Sequence, residues 1–230
     1  GDEAGGPTRD AGHHERGVKE ALMGHRHGMS LVAAIATLLA AMPLATIFES
    51  WTWLLYGVIV IVVVSGSATL ARVMRAAPGL QVLAMMAALL LIITWMFPSG
   101  GEIVRLIPTL DTFRHFNDLL GLAGQQVRTS AVPVPDLEGL LLLSTVGIGL
   151  VAVLIDLAAV GIRRPALAGL PMLAIYSVPV AVLPDGVSFL SFAATATGFL
   201  WLLVSDNVDR VRRFGRRFSS DGRDIEIWEP

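Results

Sequence analysis

An all-α integral membrane protein, a six-helix transmembrane bundle with an amphipathic helix in a long outer loop, is the fold class this sequence predicts. Three observations predict it. Hydrophobic residues make up 54% of the chain and charged residues 16%, against about 25% charged in an ordinary soluble domain. The apolar residues gather into six runs of roughly 20 residues, each long enough to cross a hydrocarbon core about 30 Å thick. Lysine and arginine collect between alternate runs, as they do where loops alternate between the two sides of a membrane.

Residues 1–30 are rich in Gly, His and charge, and read as a flexible cytoplasmic tail. Its His13, His14, His25 and His27 have nothing to fix a ligand geometry, so a solvated arm is expected rather than a metal site. The first span is 31–48. Ala33, Thr37, Ala41 and Ala45 recur every fourth residue there, a stripe of small side chains that lets another helix approach closely. Pro43 is expected to kink its end. Glu49 and Ser50 make a short connection to the second span, 51–71, with Trp51 and Trp53 in an interfacial aromatic belt. Arg72 and Arg75 close that helix. Pro78 and Gly79 turn the chain into the third span, 80–97.

The loop 98–137 is the only long connection. Leu110, Phe113, Phe116 and Leu120 keep helical spacing, with Asp111, Arg114, Asn117 and Asp118 between them. The reading is an amphipathic helix whose apolar face is those four residues, lying on the outer membrane face or folded over the bundle. Pro133, Val134 and Pro135 lead, extended, into the fourth span, 140–162. Arg163 and Arg164 stop it, and Pro165 suits the first turn of the fifth, 166–183. These two spans form a hairpin with a tight basic turn. Pro171 and Pro179 each remove a backbone bond from the fifth span. Pro184, Asp185 and Gly186 turn the chain into the sixth span, 187–204. Residues 205–230 are a basic tail in which Arg210, Arg212, Arg213, Arg216 and Arg217 are expected to bind anionic headgroups.

Orientation follows from the cations. With the N-terminal tail cytoplasmic, the cytoplasmic segments hold four, two, two and six Lys or Arg residues and the outer segments none, three and none. Fourteen against three places both termini in the cytoplasm. No cleavable leader is expected, because the first apolar run begins only at Leu31 and no small-residue cleavage site follows it.

Asp156 is the only acidic residue inside a span. A charge at that depth costs on the order of 2.5–3.5 kcal/mol, so it should face protein and have a partner. Arg163 lies seven residues on, two turns away on the same face, and Asp156 sits about 9 Å from the inner end of its helix at about 1.5 Å per residue. Ser65 and Thr197 fall near the same level. Asp156, Arg163, Ser65 and Thr197 are therefore expected to form an intramembrane polar tie, the alternative being a proton or substrate relay. With no cysteine, no glycine-rich phosphate loop and His115 the only histidine outside the tail, no catalytic residue, cofactor or metal is expected. The lipid bilayer is the expected partner, and nucleic acid is not.

The stretch "GLVAVLIDLAAVGIRRPALAGLPMLAIYSVPVAVLPDGVSFLSFAATATGFLWLLVSD", the loop "PTLDTFRHFNDLLGLAGQQVRTSAVPVPDLEG" and the following "RRFGRR" resemble the N-terminal membrane domain of the TgpA-like transglutaminase family in its actinobacterial form. The resemblance runs roughly from Leu31 to Phe218. It implies a longer protein, in which a further span leads to an extracytoplasmic transglutaminase-like domain with a Cys-His-Asp triad. None of the triad has a matching position here. The resemblance also implies a MoxR-type ATPase and its partner protein as associates. Two roles stay open: a non-catalytic anchor and docking domain of such an enzyme, or a standalone scaffold or small carrier with a polar path near Asp156.

Overall fold

The computed structural model describes residues 28–99, 108–129, 137–182 and 188–218, the side chains of 128–129, 182 and 209–218 apart. Both termini, the Pro133–Pro135 lead-in and the 183–187 turn lie outside the described residues. The described elements are helical: α1 over 28–41, closed by a 3-10 turn Met42–Thr46; α2 Thr52–Val73; α3 Pro78–Met96; α4 Leu110–Thr129; α5 Glu138–Asp156; α6 Gly169–Val182; and α7 Phe189–Phe218.

Five of these are long and apolar enough to cross a membrane: Gly28–Thr46, Thr52–Val73, Pro78–Met96, Glu138–Gly161 and Phe189–Val208. The expected fifth span is the exception. Its apolar helical stretch among the described residues, Pro165–Ala181, is shorter, and it opens with a 3-10 turn, Pro165–Ala168, before α6 proper begins. Pro171 falls in the first turn of α6, so Pro179 alone is an interior proline. Pro43 sits in the 3-10 turn that ends α1.

Two further boundaries differ. The tail ends earlier than expected, since Gly28, Met29 and Ser30 are already helical and Ser30 is 4% exposed. At the other end α7 runs on past Val204 to Phe218.

α5 is the hub. It packs against α2, α3, α4 and α6, and 61% of its most apolar stretch is buried, against 11% for α7. Small residues make this possible. At Gly149 a Cβ would stand 2.3 Å from Leu89 Cδ1 and 2.9 Å from Val60 Cγ1, so α2 and α3 both close on bare backbone there. On α1 the small stripe is buried as well: Ala33, Ala36, Thr37, Ala40 and Ala41 are each 2% exposed or less. α7 meets that stripe through Gly198, whose Cβ would lie 3.3 Å from the Ala36 carbonyl oxygen. Close approach of this kind is how helices associate where lipid removes the hydrophobic drive between them.

α5 ends in a wider coil. Leu157–Gly161 is a π-helical turn, in which the Ile162 N–H donates to the Leu157 carbonyl (2.7 Å) and the Arg164 N–H to that of Ala158 (2.9 Å). Arg163 takes the left-handed conformation, φ 59°, and reverses the chain. Arg75 does the same after α2, φ 56°. There the Ala76 N–H reaches the Ala71 carbonyl and the Arg75 N–H that of Arg72, the two bonds of a Schellman ending.

Candidate functional site

The described side chains place one buried ion pair in the apolar interior. Asp156, 1% exposed, accepts from Arg72 Nη2 at Oδ2 and from Ser30 Oγ at Oδ1, 3.4 Å away. Arg72 Nη1 also donates to Ser30 Oγ, 3.5 Å. Thr69 Oγ1 lies 3.3 Å from Ser30 Oγ and 2.8 Å from the Ser65 carbonyl, with one proton to share between them. Three helices therefore meet at one level: the first turn of α1, the last turn of α2 and the last turn of α5.

The geometry follows from chain direction. α2 and α5 run the same way, and α1 runs against them. The end of α2, the end of α5 and the beginning of α1 are thus neighbours at one rim of the bundle. Arg72, whose side chain is 9% exposed, meets the Asp156 carboxylate there. Removing two charges from water costs several kcal/mol per ion, and only close pairing with further hydrogen bonds offsets it. Here Ser30 supplies them, bonding both ions, and Thr69 in turn meets Ser30. The arrangement places a paired charge in the apolar interior, shared among three helices.

Of the four residues expected in the polar tie, Asp156 is its centre and the others stand differently. The cation is Arg72, not Arg163. The π-helical turn between Asp156 and Arg163 breaks the regular spacing that would have stacked them, and the left-handed φ turns Arg163 outward to an exposed position. Ser65 takes part through its carbonyl, while Thr69, one turn later on the same face, supplies the hydroxyl. Thr197 is exposed on α7. Arg72 and Ser30 went unread because one was assigned to an interface and the other to the tail. The length of the Arg72 side chain lets it reach back to that level from the end of α2.

The opposite rim is covered by α4. Its packed face is Thr112, Phe116, Leu119 and Ala123, all but Phe116 fully buried. Of the expected apolar face, only Phe116 packs on the core; Leu110, Phe113 and Leu120 are exposed. The face packed on the bundle is thus a different one, where Thr112 and Ala123 are small enough to admit close approach. A Cβ on Gly139 would lie 2.7 Å from the Leu119 carbonyl oxygen and 3.0 Å from the Ala123 nitrogen, so the start of α5 lies directly on the α4 backbone. Thr112 Oγ1 lies 3.4 Å from Ser99 Oγ beyond α3. Tyr56 and Phe97 meet edge to face, centroids 5.6 Å apart. These rings, with Met96, Pro98, His115, Glu138 and Leu141, line a half-open cleft of ≈ 170 Å³.

Arg210, Arg212, Arg213, Arg216 and Arg217 fall on the last turns of α7, where the side chains lie outside the described part of the structure.

The described elements are all helical, five of them long and apolar enough to cross a membrane, and a buried ion pair between two helices is tied to a third through Ser30, as fits a membrane protein. Residues 35–224 match the TgpA N-terminal domain family, and the chain belongs to that family. No curated protein matches it, and no solved structure does.

Proposed function

We propose that this chain is the membrane-anchoring and docking domain of an envelope-facing transglutaminase-like protein, itself non-catalytic. It would be a multi-pass protein of the inner (plasma) membrane, with six spans and both termini cytoplasmic. The family match over residues 35–224 carries the reading. The absence of cysteine from the sequence supports placing any triad elsewhere in the natural protein. Six spans are supported by the reach of the short fifth: a four-residue 3-10 turn at about 2.0 Å per residue followed by fourteen α-helical residues at about 1.5 Å covers about 29 Å. That nearly matches the hydrocarbon thickness of roughly 30 Å. The cation count supports the orientation, with Arg72, Arg75, Arg163 and Arg164 on one side.

The carrier reading is disfavoured by the closure of Asp156, whose oxygens are taken by Arg72 and Ser30. A MoxR-type ATPase and its partner protein are proposed associates through the family resemblance alone.

Two measurements test this. Single cysteines at Ser99 and at Ala76 should react oppositely with a membrane-impermeant thiol reagent in intact cells, Ser99 labelled and Ala76 protected; the reverse pattern inverts the topology. In the native gene, residues 28–218 can be exchanged for an unrelated six-span bundle of the same orientation. Loss of the envelope phenotype, with the downstream domain still at the membrane, supports docking. A native polypeptide with no transglutaminase-like domain overturns the reading.

A further inference from the structure

α4 has three faces where a simple cap needs two. At 3.6 residues per turn, Thr112, Phe116, Leu119 and Ala123 fall on the face that packs on the bundle. About 100° around the helix lies a second row, Leu110, Phe113, Leu120 and Val127, with Asn117 and Gly124 in the same row. The four apolar members are all exposed, Phe113 at 51% and Leu120 at 42%. Opposite that row stand Asp111, Arg114 and Asp118, exposed, the first two paired at 2.8 Å. Leu122 is the one large apolar residue on that charged flank.

The height of α4 on the bundle is marked independently. Trp51 opens α2 and Trp95 lies in the last turn of α3, 68% and 55% exposed, as indole rings stand at a membrane–water interface. α4 is attached beside them, to Ser99 just after α3 and to Gly139 at the start of α5. It therefore lies at the level where the lipid-facing surface of the bundle gives way to water. A helix lying there must meet protein, hydrocarbon and water in three directions. Its packed, apolar and charged rows supply those in order.

We infer that α4 is bedded in the leaflet on its own side of the bilayer. The row Leu110, Phe113, Leu120 and Val127 enters the headgroup–acyl boundary and Asp111, Arg114 and Asp118 stay in water. The partner of this surface is lipid, through apolar burial. The α4 end of the bundle is thereby fixed at one depth, and the cleft lined by His115 and Glu138 opens at the interface.

The inference rests on the membrane-spanning reading, and the test separates the two. Nitroxide labels on single cysteines at Phe113, Leu120 and Asp118 of the otherwise cysteine-free chain are read in phosphatidylcholine vesicles by collision with oxygen and with a water-soluble nickel chelate. Val62, exposed in the middle of α2, is the control. All four positions are exposed, so the labels need no repacking. Phe113 and Leu120 should favour oxygen over nickel severalfold more than Asp118 does, approaching Val62. Nickel access at Phe113 and Leu120 equal to that at Asp118 overturns the inference, because the row is then in water. Shielding of both labels from both probes also overturns it, because protein then covers the row. Nickel access at Val62 would instead refute the membrane span itself.

Discussion

The two rims of the bundle are held by different physics. At one, Asp156, Arg72, Ser30 and Thr69 join α5, α2 and α1 through charge and hydrogen bonds. At the other, α4 rests on α5 through backbone proximity at Gly139 and the packing of Leu119 and Ala123. The first depends on chemical identity, because an unpaired charge in an apolar interior has no substitute partner. The second depends on volume, because there the backbones of α4 and α5 meet over a glycine. The most buried helix is thus fixed at one end by what its neighbours are and at the other by how little space they take.

The comparison breaks most visibly at the ion pair. Removing one partner leaves an uncompensated buried charge, worth about 3–5 kcal/mol. Arg72→Met, which strands Asp156, should sit at the high end. Asp156→Leu should sit lower, because the freed guanidinium stands in the last turn of α2 and can extend to water. The double variant should recover most of the loss. Thermal unfolding of the four proteins in detergent forms the cycle, and losses that simply add would show that the pair does not act as a unit.

A middle-sized effect belongs to the other rim. Gly139→Val drives carbon into the α4 backbone and should cost about 1–3 kcal/mol as overpacking, released locally by unseating α4. Leu119→Asp should do the same, while Leu120→Asp, one residue on but facing outward, should be far milder in detergent. Limited proteolysis across 108–129 reads the difference. Equal sensitivity of the two aspartate variants would mean that the packed face is misassigned.

The smallest effect sharpens the comparison by its sign. Arg163 holds a left-handed φ, a conformation that costs an L-residue roughly 1–2 kcal/mol and glycine little. Arg163→Gly should therefore raise thermal stability slightly. Were Arg163 the partner of Asp156, as regular helical spacing implies, the same change would lower it.

Helical class, the position of each apolar run and the isolation of Asp156 were legible in the sequence, because each is a property of residues near one another in the chain. The small-residue stripe on α1 was legible for the same reason, Ala33, Thr37 and Ala41 all being buried as the spacing implied. α4 shows the limit. Its amphipathic spacing announced a helix, and a helix is there, but the spacing did not tell which face packs on the bundle. Leu110 and Phe113 are exposed, while Thr112 and Ala123 are buried.

What the sequence by itself determined is therefore an apolar, all-helical chain with one acid that needs a cation. Length, hydropathy and the cost of a lone charge require that much and depend on no neighbour. Only the tertiary structure decided which cation answers it. Arg72 and Asp156 are 84 residues apart, and they meet because α2 and α5 run the same way and pack on each other. Arg163, seven residues from the acid, is carried out of register by a π-helical turn. Gly139 and Gly149 likewise read as poor helix formers until a second helix is laid against them, for the space they leave has meaning only with something to fill it.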